Sequence, residues 1–301
     1  MPELTTIAGR LHVYTTAVDA WWSNHVFFDT EKLGTVVYDV PILNDDGEAL
    51  WREIRARTRG DLRTIIVSHG HPDHWGSLDF FQTVVPDAAI ISGQETAYYL
   101  FCTGEPNLQL SRDWQPQLTS IPKRVVMPTV LFEGEKVLDG GDLTLRLYTT
   151  GPAEDSEHVV LHIPELEVVL ANDLIYNGWH PWNELERDGH WLRVLDWLRS
   201  LEATTVVPGH GRVCGPEIYD VMEEWLRAYQ DLRLKYAGRY SMRDMPPENR
   251  RQMMAELRAL HPDWIAEEIP FSCGATLAVP YSHGPNRYSV EAFAPREVDE
   301  D

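Results

Sequence analysis

One stretch constrains this sequence more than any other. Residues 68–77 read SHGHPDHWGS and place three histidines and one aspartate within six positions. They follow residues 62–67, a β-branched run bounded by turn residues, which predicts a buried strand. A strand that ends at such a cluster presents the side chains at a sheet edge. Imidazole nitrogen and carboxylate oxygen are ligands of zinc and other first-row divalent metals, so the stretch predicts a metal site there.

The spacing inside the stretch suggests two neighbouring ions. His69 and His71 are two residues apart, so an extended backbone points both to the same side. Pro72 then turns the chain and re-aims Asp73, and His74 falls where a helix could begin. The alternative is a polar loop with ordinary surface histidines. The clustered pattern after a strand is far more specific than isolated residues of these types.

Composition bounds the class of protein. The chain has 301 residues, 43% hydrophobic and 24% charged, which predicts a packed globular core of one large domain or two modest ones. The net charge of −21 argues against nucleic acid and anionic membrane surfaces as partners. Three scattered cysteines form no disulfide framework. No signal peptide or membrane-spanning apolar run is visible, so we expect a cytoplasmic protein.

The remaining sequence alternates strand-like and helix-like segments, as in an α/β fold. Residues 103–128, rich in Pro, Gln and Ser, predict an inserted loop that is either functional or a harmless surface excursion. The tail from residue 237 is expected to cover the core or to build a homodimer contact. Helices are predicted at residues 46–58, 75–84, 93–100, 191–201, 217–236 and about 248–260.

The 68–77 stretch resembles the H-x-H-x-D-H motif of the metallo-β-lactamase superfamily. By the order of its motifs, the resemblance covers about residues 7–225. It implies an α/β fold, the four-layer αβ/βα sandwich with a metal site between two sheets, here with a mostly helical C-terminal extension. We therefore expect a catalytic domain at residues 1–236 and an extension at 237–301 that packs on the core or on a partner copy.

The resemblance also assigns candidate ligands elsewhere in the chain. Asp39 ends a predicted strand where the family has an aspartate that supports the metal loop. His210 lies in the sequence PGHG, which matches the family's ligand for the second metal. Asn172-Asp173 stands where the family has Gly-Asp, so Asp173 is the expected bridge between the two metals. Asn replaces Gly acceptably, because it also adopts unusual backbone angles.

The third family motif departs from its usual form. Counted from Gly151 and from Pro164, the usual histidine ligand is replaced by Glu154, as in the alkylsulfatase branch. That branch has further domains that we do not expect in this chain, and it has Glu where this chain has Asp173. Either Glu154 or His158 could complete the first site, and we favour Glu154. The expected set is His69, His71 and Glu154 for metal 1, Asp73, His74 and His210 for metal 2, and bridging Asp173.

This set implies a dinuclear hydrolase whose metal-bridging hydroxide attacks a small organic ester, lactone, amide or related bond. Asp73 would also orient the nucleophile and shuttle a proton. The expected cofactors are two divalent ions, with Zn favoured over Mn or Fe, and the partner is a small molecule. The alternatives are a sulfate ester hydrolase, a non-heme iron oxygenase and a non-catalytic binding protein. Aromatic candidates for the pocket wall are Trp75, Trp179, His180 and Trp182.

Overall fold

The computed structural model describes residues 2–16, 22–183, 187–237 and 245–265. In this part of the chain the strands form two sheets. The first sheet takes the strands in chain order, antiparallel from β1 to β4 and parallel from β4 to β7. Its strands are β1 (Glu3–Ile7), β2 (Leu11–Thr15), β3 (Asn24–Thr30), β4 (Gly34–Tyr38), β5 (Leu62–Ile66), β6 (Ala89–Gly93) and β7 (Val130–Phe132).

Three helices connect the parallel strands of the first sheet, because parallel neighbours need a crossover. These helices bring the carboxyl ends of β4, β5 and β6 to one edge, where ligand sites of α/β sheets usually lie. The helices are α1 (Asn44–Arg57), α2 (Leu78–Val84) and α3 (Gln94–Trp114).

The second sheet has the order β12-β11-β10-β9-β8, and only β11 and β12 are parallel. Helix α4 (Asp188–Ser200) provides the crossover between them, and α5 (Ile218–Ala237) and α6 (Pro247–Leu260) follow. The strands are β8 (Glu135–Asp139), β9 (Thr144–Thr149), β10 (Val159–Ile163), β11 (Val168–Asn177) and β12 (Thr205–Gly211).

Three apolar clusters hold the layers together. The central cluster takes side chains from both sheets, including Phe28, Val36, Leu147 and Leu161. A second cluster joins the first sheet to α1, α2 and α3, and a third joins the second sheet to α4, α5 and α6. The order helix, sheet, sheet, helix is the predicted four-layer sandwich. No helix among the described residues has the length and hydrophobicity that a membrane span requires.

The predicted loop at residues 103–128 is wrong over its first half, because α3 continues to Trp114. The loop was predicted from the Pro, Gln and Ser content of the segment, yet Pro106 lies inside the helix. Leu100 and Leu108 on either side of it are buried in the cluster under the first sheet. Burial of these side chains outweighs the weak local propensity, which is why the helix continues.

The described part of the C-terminal tail packs on the second sheet's helices. Met253 and Leu257 of α6 are buried in the same cluster as Trp225 of α5. Beyond α6, Ile265 donates its backbone N–H to Gly178 O and accepts from His180 N. Residues 245–265 thus contact the rest of the chain, while residues 266–301 lie outside the described residues and the covering role of the tail stays a prediction. The boundary at residue 237 stays a prediction.

Candidate metal centre

The loop after β5 is shaped by contacts with a distant part of the chain. Its residues Pro72–His74 form a 3₁₀ turn, and the following helix begins at Leu78, not at Trp75 as predicted. Asp155 Oδ2 accepts the backbone N–H of Gly70 at 2.8 Å. A Cβ on Gly70 would lie 2.3 Å from Tyr99 Cδ1 and 2.7 Å from that carboxylate oxygen. Glycine is required here because no side chain fits.

The fold brings all seven predicted ligands together in two adjacent groups. The first ligand group is His69, His71, Glu154 and Asp173, and the second is Asp73, His74 and His210. Within each group the candidate ligand atoms lie within 4.8 Å of one another. Asp173 touches both groups, with Oδ2 3.7 Å from His69 Nε2 and Oδ1 3.2 Å from His74 Nε2. That position suits the bridging role predicted for it.

Buried atoms without a hydrogen bond show that these residues fit a metal. They are Nε2 of His69 and of His74, both carboxylate oxygens of Glu154, and Oδ1 of Asp173. A buried polar atom that lacks a partner costs roughly 1–3 kcal/mol. Five such atoms in a single cluster of nitrogen and oxygen donors are what coordination by divalent cations would satisfy.

Asp39 orients histidines of both groups, which is the supporting role predicted for it. Its Oδ2 lies 2.9 Å from His74 Nδ1 and 2.6 Å from Ser68 Oγ. Ser68 Oγ in turn lies 2.9 Å from His69 Nδ1. Since the carboxylate only accepts, Nδ1 of each histidine carries the proton and Nε2 is left with its lone pair facing the site. Asp39 itself has a left-handed backbone, with φ of 59°.

His158 is fully engaged outside the ligand groups. Its Nδ1 lies 2.7 Å from Asn172 Oδ1, and its Nε2 accepts the backbone N–H of Asp155 at 3.0 Å. Burial lowers the pKa of His158 to about 4, so the ring is neutral. Asn172 has φ of 45°, as expected for an Asn in the family's Gly position. Both ring nitrogens of His158 thus hold the neighbouring loop, and Nε2 lies 3.6 Å from Glu154 Oε2.

His210 is fixed by contacts with two other parts of the chain. Its Nδ1 donates to Trp22 O at 3.0 Å, and the ring stacks on Tyr176 with centroids 5.2 Å apart. The Tyr176 hydroxyl donates to Asp173 Oδ2 at 2.9 Å. A Cβ on Gly209 would lie 1.7 Å from Asp173 Oδ1, so glycine is needed before His210. Tyr176 and Trp22 were not predicted at this site. For Tyr176, the aromatic content of residues 175–182 was a signal that could have indicated a place near the metal centre.

Burial and mutual attraction shift the pKa values of the cluster in opposite directions. Burial raises the pKa of Glu154 to about 8, although His71 Nδ1 lies 3.1 Å from Oε1. Burial alone would lower the pKa of His210, but Asp173 outweighs it and raises the value to about 9. Burial lowers the pKa of His69 well below its ordinary value. In the metal-free protein, protons therefore occupy some of the positions that cations would take.

The aromatic pocket candidates divide into two kinds. Trp179 lies next to the site, with its ring 5.7 Å from the His210 ring and 5.8 Å from that of Trp22, but it is buried and its pocket role stays a prediction. Trp75 does not fit the prediction, because it is fully buried and donates Nε1–H to Gly70 O beneath the loop. His180 uses both ring nitrogens in packing, with His261 O and with Trp225 Nε1–H. Trp182 is half-buried against the third cluster, and its pocket role stays a prediction.

Comparison with solved structures shows the same fold. The chain is similar to a metallo-β-lactamase from Pontibacter korlensis, with 18% identity, a TM-score of 0.61, and 75% of this chain and 99% of that one covered. It is also similar to the sec-alkylsulfatase Pisa1 from Pseudomonas sp., with 16% identity, a TM-score of 0.59 and 79% of this chain covered. This chain covers only 43% of the alkylsulfatase. A third similar structure, TMB-1, shows 18% identity and a TM-score of 0.59, with 76% of this chain and 98% of that one covered.

The sequence itself carries the family signature. Comparison with curated proteins finds no match. The family model of the metallo-β-lactamase superfamily matches residues 24–210, which include all seven candidate ligands. Members of this superfamily are mostly metal-dependent hydrolases. The motif after β5, the two sheets and the family match agree, and the chain belongs to the metallo-β-lactamase superfamily.

Proposed function

We propose that the protein is a dinuclear metal hydrolase of a small organic ester, lactone or amide. The observation that carries the proposal is the pair of adjacent ligand groups, which share Asp173 and leave five buried donor atoms without a hydrogen bond. Zinc suits this mixture of nitrogen and oxygen donors best, and Mn or Fe would also be accepted. Divalent ions held there would polarise a carbonyl group and make water nucleophilic near neutral pH.

The first group favours Glu154 over His158 as its fourth member. Glu154 has two oxygens that form no hydrogen bond, whereas both ring nitrogens of His158 are already used. Ligation by Glu154 requires that its carboxyl lose a proton, and burial raises the pKa of that group to about 8. Cation binding would supply the compensating charge. We therefore assign Glu154 to the first metal.

Asp73 is the proposed acid–base group. Its carboxylate is buried, with Oδ2 3.2 Å from His74 Nε2 and 3.5 Å from His210 Nε2. The neighbouring histidines hold the pKa of Asp73 below its usual value against the opposing effect of burial. An ionised carboxylate here can accept a proton from attacking water and deliver it to the leaving group.

Cys102 and Cys214 are free thiols, which suits the reducing cytoplasm that we propose.

The site is open on one side. The side chain of His71 is 25% exposed, while His210 reaches 8% and His69, His74 and Glu154 are fully enclosed. The half-exposed Trp22 lies beside His210, backed by the buried Trp179, and offers an apolar surface to an organic group. We expect substrate to approach between His71 and this aromatic pair.

A sulfate ester hydrolase is the second candidate, because Glu154 occupies the position where the alkylsulfatase branch has glutamate. The test is elemental analysis of purified protein together with hydrolysis assays on esters, lactones, amides, β-lactams, and sulfate and phosphate esters. Two ions per chain and metal-dependent cleavage of a carboxylic ester, lactone or amide are expected. Cleavage of sulfate esters alone would select the second candidate. One iron per chain with oxygen uptake and no hydrolysis would reject both.

A further inference from the structure

Five buried carboxylates surround the candidate metal centre, and their charges are not balanced by lysine or arginine. Asp73, Glu154 and Asp173 belong to the ligand groups, and Asp39 and Asp155 hold the loop between them. Each is at most 4% exposed. Among the described residues, all their ion-pair contacts are with histidines, and their other hydrogen-bond donors are Ser68, Tyr176 and backbone N–H groups.

Two divalent ions would not make this site positive. Histidines that bind metal are neutral, so four positive charges on the ions would face five carboxylates. The loaded site keeps a formal excess of one negative charge. Because the carboxylates lie in an interior of low dielectric constant, their charge acts on a group that enters the site more strongly than a charge at the surface would. An anionic group close to the ions would therefore meet repulsion that no basic side chain in contact with the carboxylates relieves.

The described contacts beside the opening involve aromatic rings on one side and a carboxylate on the other. On the His210 side, Trp22 and Trp179 present aromatic rings. On the other side, Asp155 lies near enough to raise the pKa of His71, although burial opposes it and Glu154 acts more strongly. The largest charge effects on the seven ligand side chains come from other histidines and carboxylates near the centre.

We propose that the substrate of this centre carries no negative charge beside the bond that is cleaved. A neutral or cationic carboxylic ester or lactone fits this site, whereas sulfate monoesters, phosphate monoesters and β-lactams that carry a carboxylate do not. The inference rests on the proposed hydrolase function and selects between its two candidates.

Three chromogenic esters that differ in charge test the proposal on the metal-loaded protein. They are 4-nitrophenyl butanoate, mono(4-nitrophenyl) succinate, in which a carboxylate replaces the terminal methyl group, and 4-nitrophenyl 4-(trimethylammonio)butanoate. In the catalysed reaction water adds to the acyl carbon and the acyl–oxygen bond breaks, releasing a carboxylic acid and 4-nitrophenol. The succinate ester also releases 4-nitrophenol without protein, because its own carboxylate attacks the acyl carbon and forms succinic anhydride, so the rate of a protein-free control is subtracted for each ester. We expect kcat/KM for the succinate ester to be at least about 10-fold below that of the butanoate. Equal or faster cleavage of the succinate ester would overturn the proposal.

Salt dependence separates repulsion from poor fit. Added salt screens the charge of the succinate ester but does not change its shape. Its kcat/KM should rise several-fold between about 20 mM and 500 mM salt, while that of the butanoate stays constant. A preference for butanoate that does not change with salt would mean a steric cause and would contradict the electrostatic explanation.

A charge introduced at the opening provides a second test. Trp22→Lys adds a cation beside His210 and leaves the backbone carbonyl that binds Nδ1 in place. We expect Trp22→Lys to lower the ratio of kcat/KM for the butanoate ester to kcat/KM for the succinate ester at least threefold. Trp22→Met separates loss of the ring from gain of charge. Leu234→Lys, at a 61% exposed position of α5, adds the same charge away from the centre and should leave the ratio unchanged. An equal effect of Leu234→Lys would contradict the proposal.

Binding measurements distinguish failure of this inference from failure of the proposed function. The corresponding three 4-nitroanilides can be titrated calorimetrically into metal-loaded protein before turnover occurs. We expect the succinyl compound to bind at least about fivefold more weakly than the butanoyl compound. No hydrolysis of any ester, with this order of affinities kept, would reject the hydrolase function and leave the charge preference standing. Equal affinities, no binding of any compound, or tightest binding of the anion would reject the charge preference.

Discussion

The two ligand groups are built in different ways. In the second group, His74 donates to Asp39 Oδ2 at 2.9 Å and His210 donates to Trp22 O at 3.0 Å, so each ring is oriented from outside the site. In the first group, His69 has such a partner in Ser68 Oγ. Nδ1 of His71 instead lies 3.1 Å from Oε1 of Glu154, which belongs to the same group. The histidines of the second group are therefore oriented by residues outside that group. In the first group, His71 and Glu154 contact each other instead.

This difference indicates which residues of the centre would have to change their contacts when cations bind. Residues whose outer atoms are already fixed lose little freedom when a metal binds. His71 and Glu154 would change partner, since their mutual contact must open to admit an ion between them. We therefore expect the second group to bind its ion more tightly than the first group does.

The largest effect is expected from removing one ligand of each group. His69→Ala and His210→Ala should each lose one ion per chain and reduce hydrolysis by more than about 100-fold, beyond the range for residues that only orient ligands. Elemental analysis and the ester assay measure both. If the second group is the tighter one, His69→Ala keeps an ion through extended dialysis and His210→Ala keeps less. Full activity in both variants would refute the ligand assignment.

Glu154→Gln and His158→Gln form a matched pair within one loop. Glu154→Gln keeps the size of the side chain but weakens the donor, so occupancy of the first group should fall together with the rate. His158→Gln removes a ring that binds Asn172 and Asp155 outside the ligand groups, so metal content should stay near two ions per chain. Metal counts on both proteins decide the matter. The reverse pattern would transfer the ligand role to His158.

Asp39→Asn and Ser68→Ala test orientation in the two groups separately. Asp39 reaches His74 directly and His69 through Ser68, so Asp39→Asn should weaken metal affinity about 10–100-fold in both groups. Ser68→Ala leaves the Asp39–His74 contact intact and should weaken only the first. Competition with a chromogenic chelator gives the two affinities. A uniform loss in Ser68→Ala would show that the groups are not independent.

Glu157 gives a smaller effect, on stability. It ties the loop of Glu154 to the start of α3 by accepting Thr96 N–H at 3.0 Å, and burial raises its pKa to about 7. A carboxyl whose pKa is higher in the folded state contributes stability below its unfolded value of about 4.5, and loses it as pH rises through 7. The free energy of unfolding of Glu157→Gln, relative to that of the wild type, should therefore increase from pH 5 to pH 8 by up to about 3 kcal/mol. Thermal unfolding of the metal-free proteins at both pH values measures this, and a constant difference would contradict the assignment.

The sequence was sufficient where local pattern and family motif coincide. The strand before His69, the unusual backbone of Asn172 and the position of Asp39 beside the metal loop were predicted from short stretches, whereas β12 extends through His210 beyond its predicted end at Val207. What could not be predicted depends on contacts between distant positions. Trp22 O meets His210 across 188 residues and Asp155 meets Gly70 across 85. The continuation of α3 past Pro106 and the buried place of Trp75 likewise follow from tertiary packing, which no local propensity contains.

The ligands come from both halves of the sandwich, with His69, His71, Asp73 and His74 after β5 and the others from the second sheet and its loops. Elsewhere the sheets meet through apolar packing, which is not directional, and through a few hydrogen bonds such as that from Tyr38 Oη to Val159 O. Cations bound here would join the halves as a cross-link that forms and dissolves with metal supply. By mass action, free metal at a thousand times Kd would add about 4 kcal/mol per independent site to the free energy of unfolding. The lifetime of this protein against cellular proteases would then follow metal availability, and starvation would remove the protein itself as well as its activity.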